Sequence, residues 1–373
     1  MKFRLIFILF STFCLLGNQQ KKQSQEIDLV FCIDLSSSTN GLIPVLKKHF
    51  WEIIYDFNRY YPEVNLKIGL IMYGRPSFDK KNNYIKVYSD LSSDYDMVFD
   101  SFSKLRTNVT QGEAWLDQAI DVTINQISWN KEAIQHAYFI GNGPAEGKNN
   151  ASKTLVKKSI AKNNLHFNFM FYNSYNNQKD KDGWKELAEM GKGNYKLLKL
   201  EPSSIQFQKK YDMEWITDIG NMINDSYLPY GSKGYERLKI SLDIDSICAT
   251  IDEDCYESRM IYKASRFYQN MNASWDLIDL FTTQPMNVEV IQESEVAPTL
   301  KSMKESDLIK YLQLKKLDRK QLLAEMARHS AKRDLFLYKK HAKLKLFNQQ
   351  TYFYEALISS LESGLSSDFK ITY

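Results

Sequence analysis

Asp34, Ser36 and Ser38 stand at every second position, directly after an unbroken apolar run from Leu29 to Ile33. On an extended or looped backbone that spacing turns one carboxylate and two hydroxyls toward a single point in space. All three are hard oxygen donors. Magnesium suits such a set, because it takes one or two carboxylates and fills the rest of its octahedral shell with waters or with a ligand's own oxygens. The same residues also have a purely local use, in which Ser38, Thr39 or Asn40 caps the helix that follows.

The elements that must position these donors follow from the hydrophobic pattern. Leu29 to Ile33 reads as a strand covered on both faces, as in a parallel sheet. After Asn40, Leu42, Leu46, Phe50, Ile53, Ile54 and Phe57 recur at three- and four-residue spacing, which predicts an amphipathic helix over 41–61, ended by Pro62. Further strands are expected at 66–73, 84–88 (an edge), 136–140, 165–171 and 195–200. Helices are expected near 94–105, 113–128, 151–163, 184–190 and 212–224. Strands alternating with helices imply an α/β fold, a doubly wound, mostly parallel sheet with helices on both faces. Ligands of such folds bind at the carboxyl ends of the strands, near the switch point. Asp34, Thr107 and Asn142 all fall at or just beyond such ends.

The D-x-S-x-S motif of Asp34, Ser36 and Ser38, together with the element order over 27–226, resembles the von Willebrand factor type A (vWA) family and its metal-ion-dependent adhesion site. Two more loops carry the resemblance. Arg106-Thr107-x-x-x-x-Gly112 places Thr107, with Thr110 as the alternative, where the family has a coordinating threonine ahead of a helix. In Gly141-Asn142-Gly143-Pro144, Asn142 takes the place of the family's usual aspartate. The resemblance therefore implies a site of Asp34, Ser36, Ser38, Thr107 and Asn142 for Mg2+, or for Mn2+ or Ca2+. With one carboxylate in place of two, binding is expected to be weak. It further implies a protein partner that offers an Asp or Glu carboxylate; the competing expectation is a metal-independent scaffold in an envelope assembly.

The remaining sequence narrows the function classes. Its 373 residues are 43% hydrophobic and 25% charged, an ordinary globular composition with room for two domains. Lys2 and Arg4 precede the apolar run Leu5 to Leu16, the layout of a secretory signal over 1–17, so export to the periplasm or the exterior is expected, with no membrane span after cleavage. Residues 18–26 read as a linker, 227–255 as a second linker, and 256–373 as a mainly α-helical C-terminal domain. The segment 301–345 carries fourteen Lys/Arg against five Asp/Glu. Such a basic stretch suits contact with an anionic surface; nucleic acid is not an expected partner of an exported chain. Cys248 and Cys255 would pair in an oxidising compartment or stand as unrelated thiols. The five histidines show no paired spacing, and neither a G-x-S-x-G nor a P-loop is present. An aspartyl-phosphate chemistry at Asp34 would want a second acid where Ser36 stands. The expectation is a binding protein, not an enzyme.

Overall fold

The computed structural model describes residues 25–78, 81, 83–105, 113–145, 157–160, 164–172, 178–198, 214–283, 296–345 and 359–360. Six strands form one sheet: β1 (Gln25–Asp34), β2 (Val64–Tyr73), β3 (Ile85–Ser92), β4 (Ile134–Gly141), β5 (His166–Tyr172) and β6 (Tyr195–Leu198), in the order β3-β2-β1-β4-β5-β6. All pairings are parallel except that of β2 with β3, the antiparallel edge strand. The chain winds outward from β1 to β3, then returns to place β4 on the other side of β1. The switch point thus lies between β1 and β4, and Asp34 and Gly141 are the last residues of these two strands.

Side-chain alternation along each strand divides the core into two layers. Ile27, Leu29, Phe31 and Ile33 point to one face, packed with Leu46, Phe50, Ile53, Ile54 and Phe57 of α1 (Leu42–Tyr60) and with Val98, Phe99 and Phe102 of α2 (Tyr95–Ser103). Val30 and Cys32 point to the other, packed with Leu116, Ala119 and Ile120 of α3 (Leu116–Gln126) and with Trp184 and Leu187 of α4 (Gln178–Met190). Ile216, Ile219 and Ile223 of α5 (Glu214–Asp225) join the first face. The fold is α/β and doubly wound, with a mainly helical C-terminal region.

That region departs from its expected outline. The segment 227–255, expected as a linker, is helical over most of its length: α6 spans Gly234–Ile251 and α7 spans Glu253–Lys263. Its apolar residues contact neighbours on several sides, so no single stripe marks the helix in the sequence. Ile244, Cys248, Cys255, Met260 and Tyr262 continue the first core layer directly over α1. Short helices α8 (Arg266–Asn272), α9 (Leu277–Thr283) and α10 (Pro298–Lys301) follow. The last described long helix, α11 (Glu305–Lys345), runs unbroken for 41 residues, or about 60 Å. Arg319 and Arg333 of α11 are buried and paired with Asp276, Asp279 and Glu257, whereas Lys301, Lys304, Lys310, Lys320 and Lys332 are exposed. The predicted signal 1–17, most of the first linker and most of the helix at 151–163 lie outside the described residues.

Candidate metal centre

The end of β1 and the turn after it set the geometry. The Asp34 carboxylate is fully buried, and its Oδ1 accepts the backbone N–H of Ser36 at 2.8 Å. The chain then makes one 3-10 turn, Ser37–Thr39, in which the Thr39 hydroxyl contacts the carbonyl oxygens of Asp34 and Ser36, each at 2.8 Å. This turn frees the other two hydroxyls to face away from the helix. Ser36 Oγ lies 3.1 Å from Ser38 Oγ, and Ser38 Oγ donates to Asn142 Oδ1 at 2.7 Å. Asn142 Nδ2 donates in return to the Ser38 carbonyl at 3.2 Å. The helix-capping alternative is not what these residues do: the N-cap of α1 is Gly41, in the left-handed region at φ 110, with no side-chain cap bond.

Three glycines let the backbones close around Asp34. A Cβ on Gly141 would lie 2.5 Å from Asp34 Cβ, closer than real side chains approach, and one on Gly74 would lie 3.0 Å from Asp34 Oδ1. Gly74 also has φ +83, a conformation L side chains rarely adopt. A Cβ on Gly143 would lie 2.9 Å from the Ala114 Cβ. Ala114, just ahead of α3, thereby roofs the same pocket.

The donor set can be tested against a divalent cation. Asp34 Oδ2 is buried and has no hydrogen-bond partner, and the Tyr73 hydroxyl shares both features. Burial pushes the Asp34 carboxyl up to about 6, against the opposing pull of the Ser36 backbone and side chain and of the Asn142 and Gly143 backbone N–H groups, which point toward the carboxylate. A fully buried carboxylate is costly unless a positive partner meets it, beyond the backbone N–H groups that point to it. Neighbouring ligands of an octahedral magnesium ion stand about 3 Å apart when each bond is 2.0–2.1 Å. The Ser36–Ser38 and Ser38–Asn142 oxygen separations, 3.1 and 2.7 Å, lie close to that spacing. The Ser36, Ser38 and Asn142 oxygens therefore have the spacing of a hard-cation set, and Asp34, bound to the same turn through the Ser36 backbone N–H, is the one charge beside them.

The structure thus brings together four of the five predicted site residues from two distant turns. Thr107 and its alternative Thr110 lie outside the described residues. Sequence reasoning missed the framing roles of Gly74, Ala114, Gly141 and Gly143; the only signal available was a glycine following each of two predicted strands. Among the described residues, no cluster of three or more His, Cys, Asp or Glu side chains suits a metal elsewhere.

No protein-family model matches the chain, and no curated protein matches it. Solved structures give weak likenesses. BatB from Bacteroides thetaiotaomicron, described as a conserved hypothetical protein, is 13% identical, with 48% of this chain and 93% of that one covered and a TM-score of 0.35. The SpRpn10 VWA domain is 15% identical, with 48% and 90% covered and a TM-score of 0.36. An aerotolerance-related membrane protein from Bacteroides fragilis is 14% identical, with 46% and 91% covered and a TM-score of 0.34. Likenesses of this strength carry no functional argument, and the doubly wound α/β architecture rests on the strand order and pairing of this chain itself.

Proposed function

We propose that this chain is a binding protein, not an enzyme, whose vWA-like α/β unit recognises a protein partner through a divalent-cation site at the β1/β4 switch point. The observation that carries the reading is the buried, unpartnered Asp34 Oδ2 at the end of β1, next to the turn where the Ser36, Ser38 and Asn142 oxygens stand successively 3.1 and 2.7 Å apart. Asp34 supplies the single negative charge that draws a cation in. Ser36, Ser38 and Asn142 add neutral oxygens and leave the centre with net positive charge. A bound Mg2+ or Mn2+ supplies a Lewis-acid face that accepts a partner's Asp or Glu carboxylate. Gly74, Gly141 and Gly143 hold the strand ends close enough to exclude bulk water behind Asp34.

A metal-independent scaffold is the second reading, and one observation favours it: Asn142 and Ser38 already satisfy each other by two hydrogen bonds. A pull-down from a native extract, run with and without EDTA at fixed ionic strength, separates the two. Partners lost on chelation support the metal reading, and partners retained support the scaffold. In either reading the protein acts after export. Among the described residues no helix is long and apolar enough to cross a membrane. The exposed lysines of α11 suit an anionic surface in that setting.

A further inference from the structure

We propose that Cys248 and Cys255 are a disulfide-forming pair that staples the α6–α7 junction over α1. Both sulfurs are held against one small patch of α1. Trp51 Nε1 donates to Cys248 Sγ at 3.2 Å, and Cys255 Sγ donates to the Lys47 carbonyl, also at 3.2 Å. Lys47 and Trp51 are four residues apart on that helix, one turn and about 6 Å along its axis. The two thiols also lie within hydrogen-bond reach of each other, so a small approach of the sulfurs closes the bond.

Their place in the chain favours closure. Asp252, in extended conformation, is the single residue between the end of α6 and the start of α7, and its carboxylate accepts the backbone N–H of Asp254 at 2.7 Å. That break folds the chain so that Cys248, in the last turn of α6, and Cys255, in the first turn of α7, meet across it. Lys48 of α1 pairs with Asp254 at 3.1 Å and fixes the junction from the outside. Both cysteines are fully buried, and the neighbouring Cys248 thiol together with burial pushes the Cys255 thiol up, so Cys255 is a poor nucleophile once the junction has packed. Closure therefore belongs to folding, before the junction packs on α1.

The oxidant is a small or protein disulfide. One cysteine thiolate attacks a sulfur of that disulfide and expels the other half as a thiolate. The second cysteine thiolate then displaces the bound half, which leaves the internal disulfide. Two electrons reduce the oxidant, and the two protons given up by the cysteine thiols end, by way of solvent, on its two halves, which leave as thiols. The inference is independent of the cation site, since none of the metal-set residues touches this junction.

The test refolds the full chain in a glutathione/glutathione-disulfide buffer, quenches with acid, alkylates under denaturing conditions and maps tryptic peptides without reduction. No Lys or Arg lies between Ile240 and Ser258, so both cysteines fall in the single peptide Ile240–Arg259. The expected peptide is unalkylated and lighter by two hydrogens, while Cys32, buried in β1, is alkylated in the same sample as a control. Oxidised protein is further expected to melt at a higher temperature than protein held in dithiothreitol, with the difference abolished in Cys248→Ser and in Cys255→Ser. A doubly alkylated peptide, or glutathione adducts in place of the internal bond, overturns the proposal. The wild-type mass alone decides it if either variant fails to fold.

Discussion

Asn142 is the residue on which the strength of the site turns. It contributes an amide oxygen at the end of β4, 2.7 Å from the Ser38 hydroxyl, but no charge. Asn142→Asp should place a second carboxylate opposite Asp34 and tighten Mg2+ or Mn2+ binding by tenfold or more, read by isothermal titration; each factor of ten corresponds to about 1.4 kcal/mol. Gly141→Ala tests the frame instead of the ligands. Its new Cβ would meet Asp34 Cβ at 2.5 Å, backbone-anchored atom against backbone-anchored atom. We expect a stability loss of about 1–3 kcal/mol in urea unfolding and weaker cation binding. At the opposite end of the same strand, His136 is buried, stacked on His166 at 4.8 Å, and accepts from Asn168 Nδ2 at 3.2 Å through Nδ1. Burial and the neighbouring His166 push it down to about 3. The unfolded chain binds this proton near pH 6.5, so stability is full above that pH and falls as pH drops from 6.5 toward 3. The loss amounts to a few kcal/mol. His136→Phe should flatten that limb of a melting-temperature profile.

At the scale of elements, α7 joins the helical region to the α/β unit through a buried guanidinium. Arg259 lies over the Trp51 ring at 4.2 Å, donates to Asp96 of α2 at 2.6 Å, and donates to Asp245 of α6 at 2.9 Å. Burial alone would raise the Asp96 carboxyl, but Arg259, Lys263 and Tyr268 hold it below the usual carboxylate range. Asp96→Ala should cost about 3–5 kcal/mol, because it leaves the buried Arg259 and Lys263 to share the Asp245 carboxylate. Adding Arg259→Met should cost less than the sum of the two single changes, as a double-mutant cycle in denaturant would show. These contacts explain which elements were legible in the sequence. The central strands are apolar runs buried on both faces, and α1 and α5 each present one apolar stripe, so run length and periodicity announced them. Helix α6 touches α1, α2 and α7 from several sides and shows no stripe, which is why 227–255 read as a linker. Glu257, Arg259, Asp276 and Asp279 look like surface charges in sequence, yet they face inward because their partners Asp96, Arg319 and Arg333 arrive from distant segments.

One continuous apolar layer joins the α/β unit to α6, α7 and α11, from Leu29 and Phe50 through Trp51 to Tyr262 and Met326, while Leu277, Leu300, Leu308 and Leu312 of α9, α10 and the start of α11 form a smaller cluster of their own. The candidate site sits at the carboxyl rim of the sheet. There, Asp34, Ser36 and Ser38 were legible because a period of two at a strand end needs no tertiary information. The convergence of Asn142 on Ser38 was legible only through a resemblance, and the glycine frame was not, since close approach between β1, β2 and β4 leaves no local pattern. The most direct test of the account is isothermal titration of the full chain with Mg2+ and Mn2+, set beside Asp34→Ala, with the fold of each protein verified by circular dichroism. The account predicts saturable binding by millimolar concentrations in the wild type and none in the variant. A folded wild type that takes up neither ion, or a variant that binds as well as the wild type, would contradict it.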